Sequence, residues 1–318
     1  MIKELLTHNE FKHKPPVLVD VGASGALHTS WKMLAPYAIC IAFDADERET
    51  QFVESTTAGY RRLYVFNKLV AESTHDTPFY LTKSPYCSSR LKPNQQELKH
   101  WAFSELFDIE KSVTMQATSV NEALNVLGLD YIDWFKTDSQ GTDLRIFNSL
   151  PSLLRQKIAI AEFEPGIINA YEKEDFLFEV LRYMAQEPFW LMRMTPRGTQ
   201  RISRSSMKQY FPNFIDRLYD FRYVLEESTA WAELTYMNTY AQEESFDKRE
   251  YLLGCAIALS LKQYGFAIDL ARQALTSYHD EVFEKALMYA LSRMRRKIPL
   301  IYAHKVFNKI RRLFHGSV

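Results

Sequence analysis

Val17–Ala23, VLVDVGA, decides the fold, and its continuation Val19–Ala26, VDVGASGA, marks where a ligand would sit. The run follows a Pro15–Pro16 pair and is apolar and β-branched except at Asp20, which predicts a buried first strand. It ends in Asp-x-Gly-x-x-Gly, so Gly22 and Gly25 fall at the turn leaving the strand. Without a Cβ, each lets the backbone turn sharply and approach a ligand closely, and the helix start beyond them offers unpaired N–H groups. Working outward, AICIAFDA (Ala38–Ala45), a weaker run LYVFNKLVA centred on Val65, YIDWFKTD (Tyr131–Asp138) and KIAIAEFE (Lys157–Glu164) read as further strands. Helices over Ser119–Leu127 and Thr142–Leu154 fit between them. Alternation of this kind predicts a Rossmann-like α/β domain with a mostly parallel central sheet and right-handed crossovers.

Beyond the fifth strand the pattern predicts a helix over Tyr171–Gln186 and a strand FWLMRMT (Phe189–Thr195). A polar insertion containing FPNFIDRLYDF (Phe211–Phe221) follows. WAELTYMN (Trp231–Asn238) is then expected as the antiparallel partner of FWLMRMT, closing the sheet. FYLT, just before Ser84, reads as a short strand leading into the polar loop SPYCSSRLKPN (Ser84–Asn94). From Gln242 onward the chain reads as helix, with a hairpin broken at Tyr264–Gly265. One such unit is too little for a repeat array. The expected division is therefore a Rossmann-like domain over 1–241 and an α-helical appendage over 242–318, made of a helical hairpin and a basic amphipathic tail.

Bulk properties narrow the function classes. The 318 residues are 47% hydrophobic and 25% charged with a formal net charge of zero, which supports a sizeable core and argues against nucleic acid as a partner. Cys40, Cys87 and Cys255 are scattered, with no CxxC spacing, and read as free thiols in a reducing compartment. The start, MIKELLTHNEFKHKPP, lacks the apolar core of a secretory signal. Tyr251–Leu261 is too short to span a bilayer, so a cytoplasmic location is expected. Arg293–Val318 holds eight Lys or Arg and no acid. There Ile301, Val306, Phe307, Ile310, Leu313 and Phe314 interleave with cations, a pattern that suits the inner face of an anionic membrane or a last helix packed on the domain.

The glycine turn alone also serves NAD and FAD. Asp20 shifts the balance, because an acid there would repel a pyrophosphate but can reach the amino-acid moiety of S-adenosyl-L-methionine. Asp44, in FDAD at the end of the second strand, is placed to accept hydrogen bonds from a ribose diol. Asp20, Gly22, Ala23, Ser24, Gly25, Asp44 and Asp46 are the expected cofactor-binding residues.

Over Val17–Leu191 the chain resembles the FkbM family of methyltransferases. The resemblance is carried by VDVGASGA, FDADERETQFVES, SPYCSSRLKPN, IAEFEPGIINAYEKED and above all YIDWFKTDSQGTDLRIFNSL (Tyr131–Leu150). That last run matches the family's Lys-x-Asp-x-Glu-Gly strand end at Lys136, Asp138 and Gly141. It departs from it at Gln140, where the family has an acid. Gly25 and Ala26 also stand where a bulky residue and a glycine are more usual. The resemblance implies a class I methyltransferase fold, S-adenosyl-L-methionine as cofactor, and methyl transfer to oxygen, commonly a sugar hydroxyl or that of a polyketide-type natural product.

Such a reaction needs a base at the carboxyl edge of the parallel strands, where α/β sheets bind ligands. Asp138 is the first choice, with Lys136 on the same strand face to hold it ionised or orient the acceptor. An ion pair between them, or a helix cap by Asp138, would be the structural alternative. Ser88, Ser89 and Asn94 in the polar loop, and Glu162 and Glu164 at the end of the fifth strand, are the candidate acceptor-binding residues. The two glutamates would equally suit a divalent cation on a sugar diol or a salt-bridged strand end, and no metal is expected. His28 is a further possible base, and Cys87 reads as a packed residue. The competing readings are a methyltransferase-fold binding or scaffold protein with weak turnover, to which Gln140 lends support, and an NAD-type oxidoreductase. The expected partner is a small-molecule or glycan acceptor, and an oligomer stays open.

Overall fold

The structure, a computed structural model, describes residues 1–23, 28–46, 48, 59–212 and 224–299. Ser24, Gly25, most of FPNFIDRLYDF and the tail residues Ile301–Phe314 lie outside the described residues. The chain divides into two compact units, one of residues 16–28 and 38–241, the other of residues 1–15, 29–37 and 242–318.

The larger unit is built on a seven-stranded sheet. Its strands are β1 (Val17–Val21), β2 (Ile39–Phe43), β3 (Arg62–Phe66), β6 (Trp134–Thr137), β7 (Ile160–Phe163), β8 (Phe189–Thr199) and β9 (Ser228–Asn238), in the order β3-β2-β1-β6-β7-β9-β8. The first five run parallel, whereas β9 is antiparallel to both β7 and β8. This is a mostly parallel α/β sheet compatible with a Rossmann-like fold. All five residues of β1 are buried, as expected of a parallel strand covered on both faces. On one face Val19, Val21, Ile41, Phe43, Phe135, Ala161 and Phe163 form a core with Val120, Leu124, Ile146, Phe147, Val180 and Met184. Those last six come from helices Val120–Leu127, Asp143–Asn148 and Leu177–Met184. The other face carries a polar row in register across four strands, Asp20–Lys136–Glu162–Thr235.

Three expectations need correction here. The helix expected over Thr142–Leu154 is broken into Asp143–Asn148 and Ser152–Arg155, because Pro151 has an extended ψ and no N–H to continue the ladder. The helix expected over Tyr171–Gln186 shrinks to Leu177–Met184. Residues before it form a loop in which Tyr171 bridges to Pro93. FYLT belongs to β4 (Asp76–Thr82), which pairs with an unforeseen β5 (Ile109–Gln116) in a separate two-stranded sheet. In β5 Ile109, Val113 and Met115 alternate with polar residues, but Lys111 interrupts that face and the strand is mostly exposed, which weakens the signal of a half-buried strand.

The smaller unit is helical, with Ile2–Leu6, Lys248–Ser260, Tyr264–Tyr278 and Glu281–Arg295. Asp247 and Glu250 form a reciprocal capping box at the start of Lys248–Ser260. That helix is buried nearly all round, and Arg249 donates to the Lys14 and Pro15 carbonyls at 2.7 and 3.1 Å. The hairpin turns at Lys262, which has φ +62, rather than at Tyr264–Gly265, which begin the next helix. Cys40, Cys87 and Cys255 are buried free thiols. Among the described residues, no helix is long and apolar enough to cross a membrane.

Candidate active site

A cleft of about 150 Å³ opens at the carboxyl ends of β1, β2, β3 and β6. Its inner corner is set by Gly22. At φ +80 its backbone is left-handed, and a Cβ there would stand 2.1 Å from the carbonyl oxygen of Asp138. The Gly22 and Ala23 amides both donate to the Phe43 carbonyl, at 3.0 and 2.9 Å. The end of β1 is thereby fastened to β2 on one side and pressed against β6 on the other. Glycine is required here for backbone approach as well as for conformation.

The cleft is lined by the apolar Phe43, Leu69, Val70 and Phe79 together with the acids Asp44, Asp46 and Asp138. Asp44 follows β2 and takes the Asp46 amide at 2.9 Å, a local turn that sets it at the strand end. Asp46 is buried, and its carboxylate accepts from Arg48 at 2.6 Å and from the Ser88 hydroxyl at 2.9 Å. Burial works against the Asp46 charge, yet the Arg48 and Ser88 hydrogen bonds outweigh it and hold the carboxyl below the usual range. Ser88 also takes the Thr82 amide at 3.2 Å, tying the loop after β4 to the end of β2.

Asp20 and Lys136 are placed otherwise than expected. Asp20 is 4% exposed and is absent from the cleft lining, and it accepts from Lys136 Nζ at 3.1 Å. The direct partner of Lys136 is thus Asp20, not Asp138 as the structural alternative had it, because parallel register sets Asp20 and Lys136 side by side. Burial opposes the Lys136 charge, but Asp20, Asp138 and Glu164 outweigh it and keep the ammonium above its ordinary range.

Asp138 lies half-buried on the cleft floor. Burial raises its pKa above the usual carboxylate range, with Asp20 and Glu233 adding to the shift and Lys136 and the Gln140 amide opposing it. Glu164, beyond the end of β7, is pushed up to about 9 by burial, with Asp138, Asp143 and Glu233 reinforcing the shift and Lys136 opposing it. Burial thus favours its protonated form. Asp138 does not cap the helix after it. That segment is organised by Asp143, which is 1% exposed and accepts from Thr137 Oγ1, the Ser139 amide, Ser139 Oγ and the Glu164 amide.

The remaining candidates have structural partners. Ser89 donates to the Gln140 carbonyl at 2.7 Å. Asn94, expected at the acceptor pocket, caps helix Gln95–Leu98 through its side chain instead. Glu162 accepts from Trp134 Nε1 at 2.9 Å and from Thr235 at 3.2 Å. These bonds make it a link in the polar row rather than an open acceptor-binding group. His28 lies near enough to Glu162 to favour its charge, while burial raises the Glu162 pKa overall. Among the described residues no cluster of His, Cys, Asp or Glu is arranged to hold a metal.

Sequence reasoning did not single out Arg48, Asp143, Tyr171 or Glu233. Gln140 was seen only as a departure from a pattern. Their roles come from partners distant in sequence, and only the Gln140–Gly141 pair, a non-glycine and a glycine both at positive φ, carries a local signal of a special turn. No family model, no curated protein and no solved structure matches the chain.

Proposed function

We propose that the protein is an S-adenosyl-L-methionine-dependent O-methyltransferase of the class I fold, acting on a hydroxyl of a sugar, glycan or similar polyhydroxy acceptor. The observation that carries this reading is the cleft itself. Apolar side chains and the acids Asp44 and Asp46 line it at the turn of β1, and a half-buried carboxyl, Asp138, lines it with them. Phe43, Leu69, Val70 and Phe79 suit a flat purine, and Asp44 suits a ribose diol. The acids suit a sulfonium cation. A dinucleotide would bring a pyrophosphate to the same acids, where Lys68 is the one cation among the described lining residues. The reversed β9, lying between β7 and β8, also departs from the all-parallel dinucleotide order.

The cofactor supplies an electrophilic methyl group. The chain's task is to align an acceptor oxygen behind it and to take the hydroxyl proton. Alignment is worth up to about 7–11 kcal/mol and a positioned base about 10²–10⁴-fold. Asp138 is the base of this reading, and its raised pKa makes it a stronger proton acceptor than an ordinary carboxylate. Lys136, bound to Asp20 and acting on Asp138 through space, limits that rise. Glu164 and Glu233 act on Asp138 electrostatically, Glu233 while ion-paired to Arg197 at 2.8 Å.

Calorimetric titration with S-adenosyl-L-methionine, S-adenosylhomocysteine and NAD tests the reading. Binding of the first two, weakened at least about tenfold by Asp44→Ala, is the expected result. Binding of NAD alone, or of none, overturns it.

A further inference from the structure

We propose that Gln140 is the positioning residue of this site, an amide clamped between Tyr171 and Asp138 that selects which carboxylate oxygen of Asp138 receives a proton. This rests on Asp138 being the base of the reaction proposed above. Gln140 follows β6 at φ +57, a conformation that side-chain-bearing residues rarely adopt. Three partners hold it there. Ser89 Oγ donates to its carbonyl at 2.7 Å, Tyr171 Oη donates to its Oε1 at 2.8 Å, and its own Nε2 donates to Asp138 Oδ1 at 2.5 Å.

The clamp has a direction. Gln140 turns its Oε1 to the Tyr171 hydroxyl and its NH₂ to Asp138. Asp138 Oδ1 therefore faces a donor and stays unprotonated, so the proton leaving an acceptor hydroxyl goes to Oδ2. Tyr171 is itself buried, and its single hydroxyl proton is shared between Gln140 Oε1 at 2.8 Å and the Cys87 carbonyl at 2.9 Å. A glutamate at position 140 would set a second carboxylate against Asp138 and the two would share one proton. Glutamine supplies a donor in its place and keeps Asp138 available as a base.

The groups that face Asp138 from the surrounding elements are Asp20 on β1, Lys136 on β6, Asp143 at the following helix, Glu164 beyond β7 and Glu233 on β9, with Cys87 and Tyr171 from the loops. Four of them are acids beside one lysine, so the single neutral donor contributed by Gln140 opposes a field that otherwise favours the protonated form.

The test is a ¹³C-carboxylate NMR titration of the full chain with labelled aspartate, the Asp138 signal being the one lost in Asp138→Asn. Gln140→Glu should raise the Asp138 midpoint most. Gln140→Asn is at ease at positive φ but too short to bridge, and should raise it by about one pH unit. Tyr171→Phe should raise it less. An unchanged midpoint in a folded Gln140→Asn protein overturns the proposal. The titration uses no cofactor, so its failure is separate from a failure of the calorimetric experiment, which reports on the methyltransferase reading alone.

Discussion

Asp138 and Asp143 lie one helical turn and a little more apart in sequence, are both sequestered, and differ in nearly everything that matters for chemistry. Asp143 accepts from four donors that belong to the ends of β6 and β7 and to the turn between Thr137 and Asp143. Asp138 accepts from one side-chain amide and lines an open cleft. Burial raises the pKa of both, that of Asp143 to about 6. The difference teaches that a buried carboxyl is assigned by its partners: saturated with donors it joins strands, and left with an oxygen toward a cleft it is available to a substrate.

The comparison is broken most decisively by Asp138→Asn. Methyl transfer from labelled S-adenosyl-L-methionine to a panel of polyhydroxy acceptors should fall about 10²–10⁴-fold, with the urea midpoint nearly unmoved. Retained turnover would make Asp138 a second structural acid. Asp143→Ala should do the reverse. It strands two backbone amides and two hydroxyls and should cost about 2–4 kcal/mol in urea unfolding, while a stability change under 1 kcal/mol would remove its special standing.

A pH-dependent effect separates the two acids from their neighbour Glu164. Its folded pKa, about 9, lies above the ordinary value of 4.5. The native state therefore binds a proton that the unfolded chain has released. Its contribution to stability is present at low pH and is lost as pH rises from about 4.5 towards 9. Stability measured across that window should decline with pH in the wild type and decline less in Glu164→Gln. An identical slope in both would place the titration elsewhere. The smallest effect belongs to Asn94. Asn94→Ala should cost about 1 kcal/mol through the lost cap and leave cofactor affinity unchanged, and a loss of affinity would return Asn94 to the binding site.

The sequence announced what depends on local pattern. β1 was legible because VLVDV is apolar and ends in a glycine that no other residue can replace. The β8–β9 pairing was legible because Phe189–Thr195 and Trp231–Asn238 are both strand-like and flank one polar insertion. Asp44, Asp46 and Asp138 were legible as acids at strand ends, and all three line the cleft. What depends on register was hidden. Lys136 has Asp138 on its own strand face, but its cross-strand neighbour is Asp20, and closeness across a sheet is decided by pairing that the linear order does not display. Asp143 was hidden because its donors are spread from Thr137 to Glu164. Tyr171 was absorbed into an expected helix because apolar spacing around it suits one. The loop is held instead by Glu174, which accepts the Tyr171 amide, and by Asp175, which binds Arg145.

The reversal of β9 has a consequence for how tightly anything can be held beside Asp138. Because β9 runs against its neighbours, its beginning, not its end, lies at the carboxyl edge of the parallel strands, and Glu233 and Trp231 stand there within a hydrogen-bonded ladder paired to Thr195 and Arg197. A side chain carried on such a ladder has already surrendered its backbone freedom during folding. Recruiting it to a ligand incurs little further loss of conformational entropy, whereas a wall made of loop must be ordered anew at each encounter. Selectivity along this wall would then change by exchanging alternate side chains of one strand, at positions 231 and 233, without re-forming any loop.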